Sequence, residues 1–385
     1  MERKIKPQEI TLKFMILCCK IHLDAEDKKD LNRYIYSKEI QIKLLILLSH
    51  RHAVLPQVYR TLKTYFPSHP MTLSFKPYYL KVVQKNISMG HSLCEVLKLF
   101  KKHHIEVLSI KGIALSAQVY YDTTLRQFGD LDFLILKKDK NKFYELLLEH
   151  HYIPEITLTP QMQKYFLNAA NVLGFTTPSS SFIEIHWELL SKNYAIMLEE
   201  PMLWEETALT HIYHTPVRTL NLDNQLLYLS MHGSKHMYSK LLWVSDIAHI
   251  VTHHKDICWK KIIQKAKNLG CHRMLLLSLS LAQTLLGLKL PSDIARHITK
   301  DKHVEHLQKT CLKLHYTKTQ SSKKSIRSFQ FLLRLRERKS DKIRFVIYAL
   351  FLPKFNDFQT LNLSKHFTFL YPILRPLRLM LKYFR

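Results

Sequence analysis

Glycine is scarce, with seven in 385 residues. An all-β sandwich needs many tight turns, and so few glycines argue against it. Paired cysteines are lacking too. The six stand at 18, 19, 94, 258, 271 and 311, with no C-x-x-C, a spacing that suits neither a zinc site nor a disulfide framework. Buried free thiols in a reducing cytoplasm are the expectation. No uncharged run reaches the roughly 20 residues of a membrane span. The strongly apolar run Met274–Leu288 contains Ser, Gln and Thr and reads as a buried helix. The first apolar run, in "MERKIKPQEITLKFMILCCK", is short and broken by Lys13, which argues against a signal peptide. Acid is in short supply as well: 31 Asp and Glu face 58 Lys and Arg, a formal charge of +27. A field of that sign favours polyanions, namely RNA, nucleotides or an anionic membrane surface.

The length suits two or three domains, and the texture changes along the chain. Residues 1–95 read as helices: "IQIKLLILLSHRHAVLPQVYRTLKTYF" repeats apolar positions at three and four, and Pro67, Pro70 and Pro77 mark breaks. Residues 96–215 alternate helix and strand, with strands expected at "EVLSIKG", "DLDFLIL" and "SFIEIHWEL". Residues 216–385 return to helix.

The few acids are placed oddly. In "LRQFGDLDFLIL", Asp130 and Asp132 interrupt an apolar run. Residues i and i+2 of a strand share a face, so the two carboxylates project together, about 7 Å apart along the backbone. Side by side they repel unless a cation lies between them. Mg²⁺ resolves that conflict, since it takes one or two carboxylates plus phosphate oxygens and water. Glu184, between Ile183 and Ile185, is a third carboxylate in an apolar strand. Three acids can hold two ions, and two ions stabilise both oxygens of a phosphoryl displacement. Upstream, "LSIKGIAL" reads as a strand, a Lys111-Gly112 turn and a helix. Gly112 permits close backbone approach, amides at a helix start bind phosphate, and Lys111 adds a point charge for a triphosphate. Arg126 is a further phosphate-binding candidate. His186 is assigned to the strand face opposite Glu184 and to a structural role.

The series "IKGIAL", "GDLDFLI" and "IEIHWEL" resembles the bacterial uncharacterised nucleotidyltransferase family of the polymerase-β-like superfamily. "LLYLSMHGSKHMYSKLLWVSDIAHIV" is similar to that family's helical segment, and "LPKFNDF…LYPILRPLRL" to its ending. The resemblance spans roughly 95–385. It implies an α+β fold: a polymerase-β-like nucleotidyltransferase core, a small mixed sheet with helices, flanked by N- and C-terminal helical regions. It implies Asp130, Asp132 and Glu184 as catalytic metal ligands, with Lys111 and Gly112 at the triphosphate. The wider superfamily carries Gly-Ser where this chain has Lys-Gly, so the hydroxyl contact to phosphate is absent or supplied elsewhere.

The segment 226–250, read as one helix, places His232, His236, Lys240, Trp243 and Asp246 within an arc of about 120°. That stripe suits a nucleotide, with Lys240 on phosphate and Trp243 stacking on a base. A zinc reading of the two histidines finds no third ligand. The combined expectation is a cytoplasmic enzyme that uses Mg²⁺ (or Mn²⁺) and an NTP. It moves a nucleoside monophosphate to an RNA end, a protein or a small metabolite and releases pyrophosphate. The alternative is a basic RNA-binding or interaction module with a degenerate transferase core. The C-terminal "FLYPILRPLRLMLKYFR" is basic and apolar, as membrane-surface segments are; a helix docked on the domain is the favoured reading of it.

Overall fold

The computed structural model describes residues 7–157, 170–191, 200–254, 256–316, 324–353 and 365–383, with a few single positions between them. Five strands form one mixed sheet: β1 (Val107–Ser109), β2 (Leu131–Ile135), β3 (Ile153–Pro154), β4 (Val172–Thr176) and β5 (Phe182–His186). Their spatial order is β1-β2-β5-β4-β3, and only the central β2–β5 pair is parallel. A separate hairpin joins β6 (Thr207–Ile212) to β7 (Thr215–Leu220). Each of the three segments expected as strands contains one, shorter than the segment itself, at 107–109, 131–135 and 182–186. Strands β3, β4, β6 and β7 add to them. The two-residue β3 and the glycine-interrupted β4 carry little alternation that a sequence could show.

The period of two divides β2 between two environments. Leu131, Phe133 and Ile135 enter a core with Ile183 and Ile185 of β5 and with Phe143 and Leu147 of the helix Lys140–Glu149. The same core takes Leu93, Val96 and Phe100 from the end of the helix Pro70–Lys102. Leu134 joins a larger core on the other face, built from helices on both sides of the sheet in sequence. Phe14, Leu45 and Leu62 of the N-terminal helices meet Leu227, Ile247 and Leu277 there. The boundary expected at 95 falls inside the Pro70–Lys102 helix, and the helical regions before and after the sheet share this one core.

Two expectations about helices are corrected. Pro77 does not break the chain; it lies within Pro70–Lys102. A proline leaves the carbonyl four residues back unbonded. Here that residue, Leu73, is 58% exposed, so water can satisfy it. The second correction concerns 226–250, which is two helices, Leu222–Lys235 and Leu241–His253. Between them Met237 and Tyr238 both adopt left-handed backbone, at φ of 54° and 48°. The Tyr238 ring lies against Gly233, where an added Cβ would stand 2.3 Å from a ring carbon. Its hydroxyl donates to the Ser230 carbonyl at 3.1 Å. Asn221 starts the first helix by accepting the Asn224 amide at 2.9 Å.

Most of the Met274–Leu288 run is buried as expected, and the helix His272–Leu286 carries it as far as Leu286. Among the described residues no helix is long and apolar enough to cross a membrane. The six cysteines are unpaired. Four are buried, Cys94 is half-buried and Cys258 is exposed.

Candidate active site

Parallel pairing of β2 with β5 sets Asp132 directly opposite Glu184. Both open on a cleft of about 920 Å³, which Asp130 and Gly129 line from the approach to β2. The three acids therefore share one cavity. His186 shares it too, which corrects its assignment to the opposite face. Residues 184 and 186 are two apart on one strand, so the rule that pairs Asp130 with Asp132 also pairs Glu184 with His186. The His186 Nε2 stands 3.2 Å from Asp132 Oδ1 and 3.3 Å from Glu184 Oε2.

Lys111 supplies the cation that the buried Asp132 requires. Its Nζ lies 2.5 Å from Asp132 Oδ1. The residue precedes a short helix, Gly112–Leu115, that continues into a π-turn, Ser116–Tyr120. Gly112 has φ of +60°, and a Cβ there would lie 3.2 Å from the Asp130 carbonyl oxygen. Glycine thus meets both the left-handed backbone and the close passage of the acid-bearing segment. Burial alone would pull the Lys111 ammonium down, but Asp132, Tyr228 and Asp130 hold it above the ordinary lysine range. Burial would likewise raise Asp132; Lys111 and then His186 hold its carboxyl well below the usual range. Burial lowers His186, yet its bonds to Asp132 and Glu184 leave it raised above the ordinary histidine range. Asp130 has no such partner, and burial followed by the Asp132 charge raises it.

Asp132 is 1% exposed, and its second oxygen, Oδ2, has no hydrogen-bond partner. A buried carboxylate oxygen left unpaired is costly. Ligand atoms of Asp132, Glu184 and His186 all lie within 4.8 Å of one another. Two carboxylates, an imidazole and an unsatisfied oxygen are a donor set that fits a divalent cation, with Asp130 beside it.

The remaining candidates divide. His232, His236, Lys240 and Trp243 line the same cleft, although only His232 and Trp243 are helical and His236 and Lys240 belong to the turn between the two helices. His236 stacks on Trp243 with centroids 4.9 Å apart, and His232 meets the same indole edge-on at 5.6 Å. The Lys240 ammonium lies 5.7 Å from the Trp243 ring centroid. Burial, then Lys111 and His236, hold His232 well below the ordinary histidine range, so it is neutral. Arg126 lines the cleft from a buried position, but its Nε and Nη2 donate to the two oxygens of Asp246, each at 2.9 Å. Asp246 therefore completes a buried ion pair. Tyr228, missed in the sequence, is buried at the cleft wall and hydrogen-bonded with Lys111. No motif marks it; only the cap at Asn221 sets the phase of its helix. Lys81 and Lys85, four apart on the Pro70–Lys102 helix, also line the cleft.

The Arg126–Asp246 pair sits beside an unusual histidine. Tyr120 donates its hydroxyl to Asp246 Oδ1 at 2.8 Å and places its ring 4.0 Å from that of His249. Neither His249 ring nitrogen has a partner, and burial, then Arg60 and His253, lower it to about 3. The unfolded chain takes up this proton below about pH 6.5, whereas the folded chain resists it down to about 3. Stability is thus retained above about 6.5 and lost as pH falls, at up to about 1.4 kcal/mol per pH unit from this group. His249→Leu is expected to flatten the decline in denaturant midpoint between pH 6 and 4. An unchanged slope would remove His249 as the cause.

A mixed sheet with carboxylates facing each other across its central parallel pair, beside a glycine turn, is the core of a nucleotidyltransferase. A family model described as uncharacterised nucleotidyltransferase matches residues 38–287, well over half of the chain. The chain belongs to that family. No curated protein matches it.

Proposed function

We propose that the chain transfers a nucleoside monophosphate from an NTP to an acceptor hydroxyl, with release of pyrophosphate. One observation carries the reading: Asp132 and Glu184 face each other across β2 and β5, with Asp130 beside them, on a cleft whose walls are basic. Asp130, Asp132 and Glu184 would hold Mg²⁺ or Mn²⁺, with His186 as an added donor. The metal, when bound, neutralises the phosphates and stabilises the attacking and leaving oxygens. The chain itself contributes position and field. Lys240 lies at the exposed rim for phosphate, and the Trp243–His236 stack offers a flat apolar surface to a base. Lys111 offsets the charge of the buried Asp132. Catalysis on this reading is electrostatic preorganisation in a site built before the substrate arrives. The acceptor is an RNA end, a protein side chain or a small metabolite.

The test is incubation with each radiolabelled NTP, Mg²⁺ or Mn²⁺ and cell lysate. Labelled product is expected with at least one NTP. Asp132→Asn and Glu184→Gln should each lower the rate about a thousandfold, as the loss of a central electrostatic group does. If wild type binds nucleotide yet labels nothing, the core is an inert binding module and the transferase reading fails.

A further inference from the structure

The last fifty residues lie beyond the family match. They hold a concentration of exposed apolar side chains unlike the rest of the surface. The helix Lys339–Phe351 exposes Ile343, Ile347, Leu350 and Phe351, and the helix Tyr371–Tyr383 exposes Ile373, Leu377, Met380 and Leu381. Each set is spaced at three and four, a stripe along one side of its helix. Phe367 and Phe369, in the turn before the second helix, are also exposed, the latter at 66%. The opposite sides are occupied. Asp341 and Phe345 of the first helix are buried, as are Tyr371 and Arg375 of the second.

The charge of this region says what the stripes meet. Residues 338–385 contain ten Lys and Arg and two acids, Asp341 and Asp357. Both acids are buried. Asp357 is bonded by Arg375 and by Arg378. Little negative charge is left to face outward. A second copy of the chain would bring like charge against like, which disfavours a homodimer through this face. A negatively charged surface with an apolar interior satisfies both features at once. A 13-residue helix is about 20 Å long, too short to cross a bilayer, but it can lie in the headgroup layer with its apolar side down.

We infer that the paired C-terminal helices dock the protein on anionic lipid bilayers, Ile373, Leu377, Met380 and Leu381 entering the boundary between headgroups and acyl chains. The favoured expectation of a docked helix thus describes its buried side, and membrane contact its exposed side.

Sedimentation of the full chain with vesicles tests this. Binding is expected with phosphatidylcholine vesicles carrying about a third phosphatidylglycerol, and not with phosphatidylcholine alone. Ile373→Asp with Leu377→Asp should reduce binding at least about tenfold with an unchanged circular dichroism spectrum. Met380→Asp with Leu381→Asp, an independent pair on the same stripe, should do the same. No sedimentation with anionic vesicles overturns the proposal. So does sedimentation that neither pair weakens, which would be adhesion by charge alone. Concentration-dependent self-association abolished by these substitutions would assign the face to a second copy instead.

Discussion

Lys111→Met is expected to melt far below wild type in metal-free buffer. Its ammonium is the closest cation to a carboxylate that is 1% exposed. Removing one partner of a buried ion pair typically costs about 3–5 kcal/mol, because the other charge is left uncompensated. His186 also bridges Asp132, so the loss should fall toward the lower end of that range. Mn²⁺ should then raise the melting temperature of Lys111→Met more than that of wild type. In the variant a divalent ion replaces a missing charge, whereas in wild type it meets an ammonium already in place. Thermal melts with and without Mn²⁺ separate the possibilities. A variant as stable as wild type without metal, or one indifferent to Mn²⁺, would show that Lys111 is not the counter-ion of Asp132. The same geometry revises the expectation that two neighbouring aspartates strain the metal-free fold. Lys111 and His186 already relieve Asp132, and only Asp130 is left raised.

Asp246→Ala is the second large effect. Asp246 is fully buried and accepts two bonds from Arg126 and one from Tyr120. Replacing it leaves a buried guanidinium with no acid on its forked side, and about 3–5 kcal/mol should be lost. The pair joins the segment that leads into β2 to the helix Leu241–His253, so the loss should also loosen Asp130. Denaturant unfolding should show a lower midpoint, and Arg126→Met with Asp246→Leu should recover most of it, as apolar replacements of buried pairs often do. If the single variant unfolds like wild type, the pair adds nothing to the fold. If the double variant is the weaker of the two, the positive charge of Arg126 is needed at the cleft itself.

Much of the site was legible because strands report themselves with a period of two. Asp130, Asp132 and Glu184 stand out as carboxylates among Leu, Phe and Ile, and their cleft follows once β2 and β5 are neighbours. His186 is equally legible, since its spacing from Glu184 is that of the aspartates and puts it on the same face of β5. The break at 236–240 was not legible. Helical spacing continues through it, and the left-handed Met237 and Tyr238 are held by a long-range feature, the Tyr238 ring seated on Gly233. The partners of Lys111 and Arg126 were hidden for a related reason. A basic residue beside a phosphate site reads the same whether its charge faces substrate or a buried acid. Only the fold shows that Asp132 and Asp246 reach them first. The exposed stripes of the C-terminal helices were half legible: composition showed them to be basic and apolar, and burial shows which side is covered.

The central claim is that Asp132 and Glu184 hold a divalent cation for an NTP. Electron paramagnetic resonance of Mn²⁺, titrated with the protein and a non-hydrolysable NTP analogue, tests it most directly, since free Mn²⁺ loses its sharp signal on binding. Wild type should remove the free signal in proportion to protein added. Asp132→Asn combined with Glu184→Gln should leave it at the level of analogue alone. A double variant that binds Mn²⁺ as well as wild type would place the metal elsewhere and contradict the account.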